Sequence, residues 1–506
     1  MFRNYHQNQD LLLPPSLKDC LPEDHLCFVI NDIVNGLDLS SVENTYKDEG
    51  SPAYNPRLLT KILFYAYSQG IRSSRKIENS LSENNAMRFL SGNSHIDHGT
   101  INLFRKNHLA NIPAVFAQIV VCTGNLGMAD LTDISIDGTK IKASASKKNL
   151  FTQEAIDKIE SKMKEILSEA ELIDQKEDKA LGNKRGYNQI PEKLINPQTR
   201  KKEIEKIQKK LAKLNRAKDE IKEKQDKSKG KEQRNQTRNK TSNTTDPDAN
   251  PMKMKDGSFK MAFNCQLSAS NQIITAYDVT NDPADTHHLQ DMVKKSEENT
   301  KQKVKTAKAD SSYFTEEDIE FTKENNINAL IPDVLYEKER KKKQKDNLNP
   351  YSKDNFIYDK DKDEFTCPED KALKFKRHLT TGSDEYTCTD CTNCLKKSLC
   401  TKAKNRTVTL NPKLLILWQE MRTKLETKEG KDKYQERMSE IEPVIGNIKC
   451  NQNLTSFLCR GKTMVEIELG LASTVHNITK IFHKLKREGA DSKDIKWNNI
   501  MVPIMA

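Results

Sequence analysis

Two aspartates end apolar, β-like runs in this chain: Asp137 in "ISIDGTKI" and Asp310 in "VKTAKADSSYF". Carboxylates at the ends of neighbouring strands can converge at one edge of a sheet, and open α/β sheets bind ligands outside those ends. A third acid, Glu442, stands in "YQERMSEIEPVIGNIKCNQNL", where Tyr434, Arg437, Ile441, Ile445 and Ile448 recur at helical spacing. Pro443 directly after it predicts a kink or a helix start there. Lys449 follows Glu442 by seven residues, about two turns, so a continuous helix puts both on one face. Converging carboxylates make a hard oxygen site for Mg²⁺, which takes its remaining ligands from water and phosphate. Two such ions about 3.5–4 Å apart stabilise the attacking and leaving oxygens of an in-line phosphoryl displacement. The chain holds 73 acidic residues, so position alone does not single out these three. Most strand-end aspartates merely cap turns.

The second constellation is sulfur. Cys388, Cys391, Cys394 and Cys400 give C-x2-C-x2-C-x5-C, and Cys367 precedes them in "FTCPEDKAL". Thiolates suit tetrahedral Zn²⁺. The reading favours Cys367 plus three of the other four as a structural zinc site, without saying which three. Reduced free thiols and an iron–sulfur cluster are the alternatives. The total of 11 cysteines is odd and five crowd into residues 367–400, which fits a reducing cytoplasm better than a disulfide framework. His287 and His288 in "DTHHLQDM" read as helix-start residues, not ligands. No Gly-rich phosphate loop supports nucleotide hydrolysis. No apolar run approaches the ~18 residues that span a bilayer, and "MFRNYHQNQD" has no apolar signal core.

These groups need elements to position them. The 506 residues suggest about three domains. The net charge is +11, and 25 Lys/Arg against 17 Asp/Glu between Phe151 and Thr245 supply most of it. Within that stretch Ile204, Ile207, Leu211, Leu214 and Ile221 form a narrow helical stripe, like a coiled-coil seam. A polar basic tail from Lys229 to Thr245 reads as a flexible linker. This region, and the basic knot at 337–347, is either a solvated charged face or a basic arm for a nucleic-acid backbone. Residues 1–125 read as helical, with Leu58, Ile62, Leu63, Tyr65 and Ala66 at helical spacing before a stop at Gly70, Ser73 and Ser74 as cap candidates, and "DHGTINLFRKNHLANIPAVFAQIVVCTGNLG" as a third pattern. That compact unit has room for a helix-turn-helix. From Leu131 the texture becomes β-rich. "LTDISIDGTKIKASAS" reads as a strand, a turn at Asp137-Gly138 and a second strand. Ser270-Asn271 marks another hairpin, and strand–helix–strand alternation follows to "INALIP". The fold class is therefore a mixed α/β sheet with helices. The expected division is a helical domain (1–125), a first catalytic segment (126–150), a charged helical insertion (151–245), the catalytic domain continued (246–337), a Lys/Cys-rich insertion (338–430) and closing helices (431–506).

In order along the chain, these blocks resemble the DDE transposases of bacterial insertion sequences, in the ribonuclease-H-like integrase superfamily. "YNPRLLTKILFYAYSQGIRSSRKIE" and "DHGTINLFR" resemble their N-terminal domain. "SIDGTKIKA" and "AKADSSYF" resemble the blocks of the first and second Asp, and "TDPDANPMKMKDG" with "FNCQLSAS" the strands between. The signature Y-x2-R-x3-E-x6-K fits Tyr434, Arg437 and Glu442 to Lys449, but four residues rather than three separate Arg437 from Glu442. Glu440 is the rival; the context "IEPVIGNIK" favours Glu442. "CRGKTMVEIELGLASTVHNITKI" resembles the family's end, so a full-length chain is expected. The resemblance implies a ribonuclease-H-like sheet and metal-dependent DNA strand cleavage and transfer. Asp137, Asp310 and Glu442 would carry two Mg²⁺, Tyr434, Arg437 and Lys449 would hold phosphates, and Thr139 and Lys140 would touch DNA. It further implies terminal inverted repeats and target DNA as partners, a homodimer bridging two ends, and a cytoplasmic protein that joins the nucleoid when bound to DNA. A non-catalytic DNA-binding protein on the same scaffold is the alternative, and a ribonuclease a distant third.

Overall fold

The computed structural model describes residues 16–46, 52–108, 111–179, 197–227, 241–333, 336, 350–351, 355–359, 362–379, 383–391 and 393–501. The basic knot at 337–347 and residues 229–240 of the expected linker lie outside them.

The helical start comprises α1 (Leu26–Gly36), α2 (Pro56–Ser68), α3 (Ser74–Glu83), α4 (Asn85–Leu90), α5 (His98–His108) and α6 (Ile112–Asn125). The Asn55 side chain accepts from the Arg57 N–H at 2.8 Å and Pro56 takes the first helical position, so α2 begins as its sequence requires. The third helical pattern is two helices, not one. Asp97 accepts from the Gly99 and Thr100 N–H groups to start α5, and Pro113 sits in the first turn of α6.

β1 (Asp133–Lys142) is one continuous strand, which overturns the turn expected at Asp137-Gly138. It pairs antiparallel over Ser135–Lys142 with β5 (Phe259–Ser270). Gly138 is not in the left-handed region. A Cβ there would lie 2.1 Å from Asp285 Oδ1 and 2.7 Å from Gln266 Nε2. Glycine serves close approach at this position, not chain reversal.

Between β1 and β5 come β2 (Leu150–Thr152), α7 (Gln153–Lys179), α8 (Pro197–Lys227), β3 (Thr241–Asn243) and β4 (Asn250–Lys253). α7 and α8 form a hairpin. Leu214 and Ile221 of the predicted stripe are buried with Ile156 and Ala217. Thr241–Asn243 is not flexible linker: it pairs with β2 and closes the hairpin's base.

β5 turns into β6 (Ile273–Thr280) through Asn271 and Gln272, both at positive φ (45° and 65°). That two-residue, primed-type hairpin sits one residue beyond the expected position. α9 (Leu289–Thr300), β7 (Thr306–Lys308), α10 (Glu316–Glu324) and β8 (Asn328–Leu330) follow, as the alternation predicted. In the six-stranded sheet β7 and β8 run parallel to β1 on one side; on the other, β5 is antiparallel to β1, β6 is antiparallel to β5, and β4 flanks the first residues of β5.

The Cys-rich segment holds its own antiparallel sheet: β9 (Ile357–Asp359), β10 (Glu364–Thr366), β11 (Ala372–His378), β12 (Asp384–Cys388) and β13 (Thr407–Leu410). The next helix, α11 (Pro412–Glu426), buries Leu417, Met421 and Leu425 with Ile134, Ile136 and Ala307 of the main sheet. Then come α12 (Lys428–Glu440), α13 (Glu442–Gly446), a π turn at Asn447–Asn451 and α14 (Lys462–Glu488). α14 shares one apolar cluster with α1–α6 and with Met261, Phe263, Cys265 and Leu267 of β5. A buried Arg72–Glu468 pair at 2.6 Å ties the helical start to α14. Among the described residues no helix is long and apolar enough to cross a membrane.

Candidate active site

The parallel pairing of β1 with β7 sets the site. Asp133, Ile134 and Ser135 stand opposite Thr306, Ala307 and Lys308. Asp310 follows β7 by two residues, so this register, if carried past Lys308, would bring it alongside Asp137. Asp137 Oδ1 accepts from the Gly138 N–H at 3.0 Å and pairs with Arg437 Nη2 at 3.1 Å. Asp310 Oδ1 accepts from the Ser312 N–H at 2.9 Å and from the Ser312 hydroxyl, capping the turn Ser311–Tyr313.

Asp285 is a third carboxylate here. It stands two residues before His287, and the sequence reading assigns it no role. Its Oδ1 accepts from Asn264 Nδ2 and Gln266 Nε2, each at 2.7 Å. Gln266 Oε1 in turn accepts from the buried Tyr313 hydroxyl, which links Asp285 to the turn that Asp310 caps. Two signals could have found it: alternate polar residues (Asn264, Gln266, Ser268) in an otherwise apolar strand, and a glycine beside a candidate acid. Burial, with Asp310 and Asp285 close by, pushes the Asp137 carboxyl up to about 6 against the opposing pull of Arg437.

α12 and the π turn lie along β1. Ser135, Asp137 and Thr139 alternate onto one face of the strand, and each meets a residue from this helical segment. The Ser135 hydroxyl donates to Glu440, Arg437 pairs with Asp137, and Lys449 Nζ donates to Thr139 Oγ1 at 2.5 Å and to the Lys140 carbonyl at 3.1 Å. Burial, then Lys255, holds the Lys449 ammonium below its usual range. Tyr434 is buried against the apolar cluster of α11 and the sheet, so its ring seats α12. Glu440 and Glu442 differ in kind. Glu440 pairs with the fully buried Lys308 at 2.9 Å. Glu442 is exposed at the start of α13, just after the break at Ile441, with Pro443 in the first turn as the sequence required.

Among the described residues no three Asp, Glu, His or Cys side chains stand close enough together to grip one metal ion as placed. The donor chemistry of the aspartates nonetheless fits a hard divalent cation. In Asp137, Asp310 and Asp285 every described hydrogen bond or ion pair falls on Oδ1, and none engages Oδ2. A nearby cation would also favour the ionised form of Asp137, which burial disfavours.

The five clustered cysteines, Cys367, Cys388, Cys391, Cys394 and Cys400, all line one cavity of about 20 Å³ between the small sheet and its loops. That is room for one water-sized particle. Backbone N–H groups of Lys371 and Arg406 point at Cys367 Sγ (3.3 Å) and Cys391 Sγ (3.4 Å). His288 stands at the N-cap of α9, as a helix-start residue should.

Two family descriptions match the chain. "Transposase domain (DUF772)" matches residues 15–107, and "Transposase DDE domain" matches residues 366–482. The second match takes in all five clustered cysteines, Tyr434, Arg437, Glu440, Glu442 and Lys449; Asp137 and Asp310 lie outside both. No curated protein and no solved structure matches.

Proposed function

We propose that this chain, which its two family matches support as a DDE-type insertion-sequence transposase, cuts and joins the ends of its element by metal-dependent phosphodiester hydrolysis and strand transfer. Transposase domains imply DNA transposition, and DDE transposases generally use a divalent metal, usually Mg²⁺. The observation that supports the finer reading is that Asp137 on β1 and Asp310, two residues beyond the end of the adjacent parallel strand β7, are close enough to raise the Asp137 carboxyl, with Arg437 against the first. The strand order, three antiparallel strands with two parallel ones beyond β1, supports a ribonuclease-H-like catalytic sheet.

In this reading Asp137, Asp310 and Glu442 hold two Mg²⁺. Glu442 is preferred over its neighbours because Glu436 and Glu440 both pair with Lys308. Bound there, the ions supply charge stabilisation for the reacting phosphodiester oxygens. Arg437 fixes the rotamer of Asp137. Lys449, held by the Thr139 hydroxyl and the Lys140 carbonyl, offers its ammonium to a backbone phosphate. Oriented side chains hold the DNA; none of them needs to take the proton. Terminal repeats and target DNA are the proposed partners, and a homodimer would bridge two ends. The test is cleavage of labelled DNA carrying the element's ends, with Mg²⁺ or Mn²⁺. Binding without cutting by folded, metal-supplied protein would favour the non-catalytic alternative.

The Asp137 shift gives the reading a pH signature. Below about 6 a proton competes with a cation for Asp137, so metal binding must displace it. The Mg²⁺ concentration for half-maximal cleavage is expected to rise up to ~10-fold per pH unit below 6 and to level off above it. Without metal the sign for stability is opposite. The folded state binds this proton more tightly than the unfolded state, whose pKa is near 3.8, so stability falls as pH rises from 3.8 through about 6. The loss is of order 1–3 kcal/mol, and Asp137→Asn should remove that slope. Urea titrations in EDTA at pH 5 and pH 7 check this.

We also propose that four of the five cysteines take a structural Zn²⁺. All five line one cavity, with N–H groups turned to Cys367 and Cys391 Sγ. As placed, no three of them are close enough to ligate one ion, so binding would have to draw them together. Purified protein should carry about one zinc per chain by elemental analysis. Its removal by chelator should lower the melting temperature, as metal binding is coupled to folding in small domains. Protein that holds no zinc, or iron in its place, would overturn this assignment.

A further inference from the structure

A groove of about 620 Å³ opens where β1 ends. Lys142, Lys147, Lys260 and Arg460 line it, and no acidic residue does among the described residues. Arg460 Nε donates to the Ser144 carbonyl at 3.0 Å, which holds the guanidinium at the wall. Lys260 pairs with Asp256 at 3.0 Å, so part of its charge is met locally. Set among these cations are two large apolar side chains that the core does not use: Phe259 is 52% exposed and Leu458 48%. The groove begins at the end of the strand that carries Asp137. Lys142 follows Asp137 by five residues of β1, roughly 16 Å at ~3.3 Å per residue, or about five steps of one DNA strand at ~3.4 Å. The Phe457 N–H donates to the Lys142 carbonyl at 2.8 Å, fixing the strand end to the far wall.

We infer that this groove takes unpaired nucleotides of the DNA strand leading to the cut, with phosphates on Lys142, Lys147 and Arg460 and a base stacked on Phe259. The inference rests on the transposase reading above and adds a strand track to it. Cations without opposing carboxylates match a phosphate backbone. The aromatic ring decides between strand and duplex. In duplex DNA the faces of each base are covered by its neighbours, whereas an unpaired base offers a face to a ring, whatever its sequence.

The experiment is fluorescence anisotropy on the full chain without divalent metal. The probes are a blunt duplex carrying the element's end and the same duplex with a short single-stranded extension at the cleavage point. Wild type should bind the extended probe more tightly. Phe259→Ala should cost that probe about 5- to 150-fold, from the ~1–3 kcal/mol of one stacked base, and leave the blunt probe unchanged. Phe259→Leu keeps apolar bulk and should lose the same increment, which controls for folding. Lys142→Ala and Lys147→Ala should each flatten the salt dependence for the extended probe by about 0.7 in log–log slope. Equal losses on both probes, or no loss on the extended one, overturn the strand track. So does a Phe259→Ala effect seen only in sedimentation, which would mark the groove as a protein contact. If wild type binds neither probe, the transposase reading itself fails. If it binds the blunt probe and gains nothing from the extension, only the groove assignment fails.

Discussion

Asp137→Ala and Asp310→Ala are each expected to abolish cleavage of end DNA, by roughly 10³-fold or more, the scale seen when a group acting at the transition state is removed. DNA binding measured on the same samples should hold within about threefold, because neither carboxylate attracts a phosphate. Asp137→Asn is the fold-sparing control, as it keeps an oxygen for the Gly138 N–H and for Arg437 while losing the charge a cation needs. Glu442→Ala should fall with the two aspartates. Glu440→Gln should instead cut at near the wild-type rate while melting earlier, since Glu440 serves the buried Lys308. The contrast settles the third carboxylate in one experiment. Should Glu440→Gln lose cleavage and Glu442→Ala keep it, the assignment moves two residues back. Should Asp137→Ala still cut, the chemistry lies elsewhere.

Much of the frame was legible because local rules carry it. The apolar spacing from Leu58 to Ala66 and the stop at Gly70 mark α2. The hairpin at Asn271-Gln272 and the strand–helix–strand alternation follow from side-chain periodicity. Asp137 and Asp310 stand out as acids ending apolar runs, and the parallel β1–β7 register, if carried past Lys308, would bring them alongside. What periodicity could not reveal is which distant residue a side chain meets. Asp-Gly reads as a turn from its neighbours alone. Only the fold shows that glycine there admits the carboxylate of Asp285, far along the chain. The third helical pattern split because Pro113 favours a first-turn position, a local signal outweighed in reading by the long apolar run around it. Glu440 and Glu442 were separable by family spacing only weakly, and the difference between them is a buried cation on β7. The groove at Lys142 joins β1, β5 and the segment before α14, three pieces with no shared pattern in sequence.

Lys308 makes that last kind of contact measurable. Its side chain is fully buried, yet it stays charged among Asp133 (2.9 Å), Glu440 (2.9 Å) and Glu436 (3.3 Å). Burial alone would lower its pKa, but the hydrogen bonds to Asp133 and Glu440 outweigh that and raise it. Removing one member of such a buried set strands the others, at about 3–5 kcal/mol, so Lys308→Met should destabilise the protein by that order in urea denaturation. Asp133 keeps Lys433 at 2.7 Å and Glu440 keeps the Ser135 hydroxyl, which argues for the lower end. Lys308→Met combined with Glu440→Met removes the stranded charge and should recover part of the loss, since apolar replacement of a whole buried pair is often neutral or favourable. A single variant as stable as wild type would mean that Lys308 is solvated in solution. The site depends on the answer, because Lys308 lies two residues before Asp310 and ties β1, β7 and α12 together. In the recovered double variant, stability and chemistry separate. If it melts like wild type and cuts like wild type, the ion cluster only holds the strands level. If it is stable but slow, the cluster also sets the spacing of Asp137, Asp310 and Glu442.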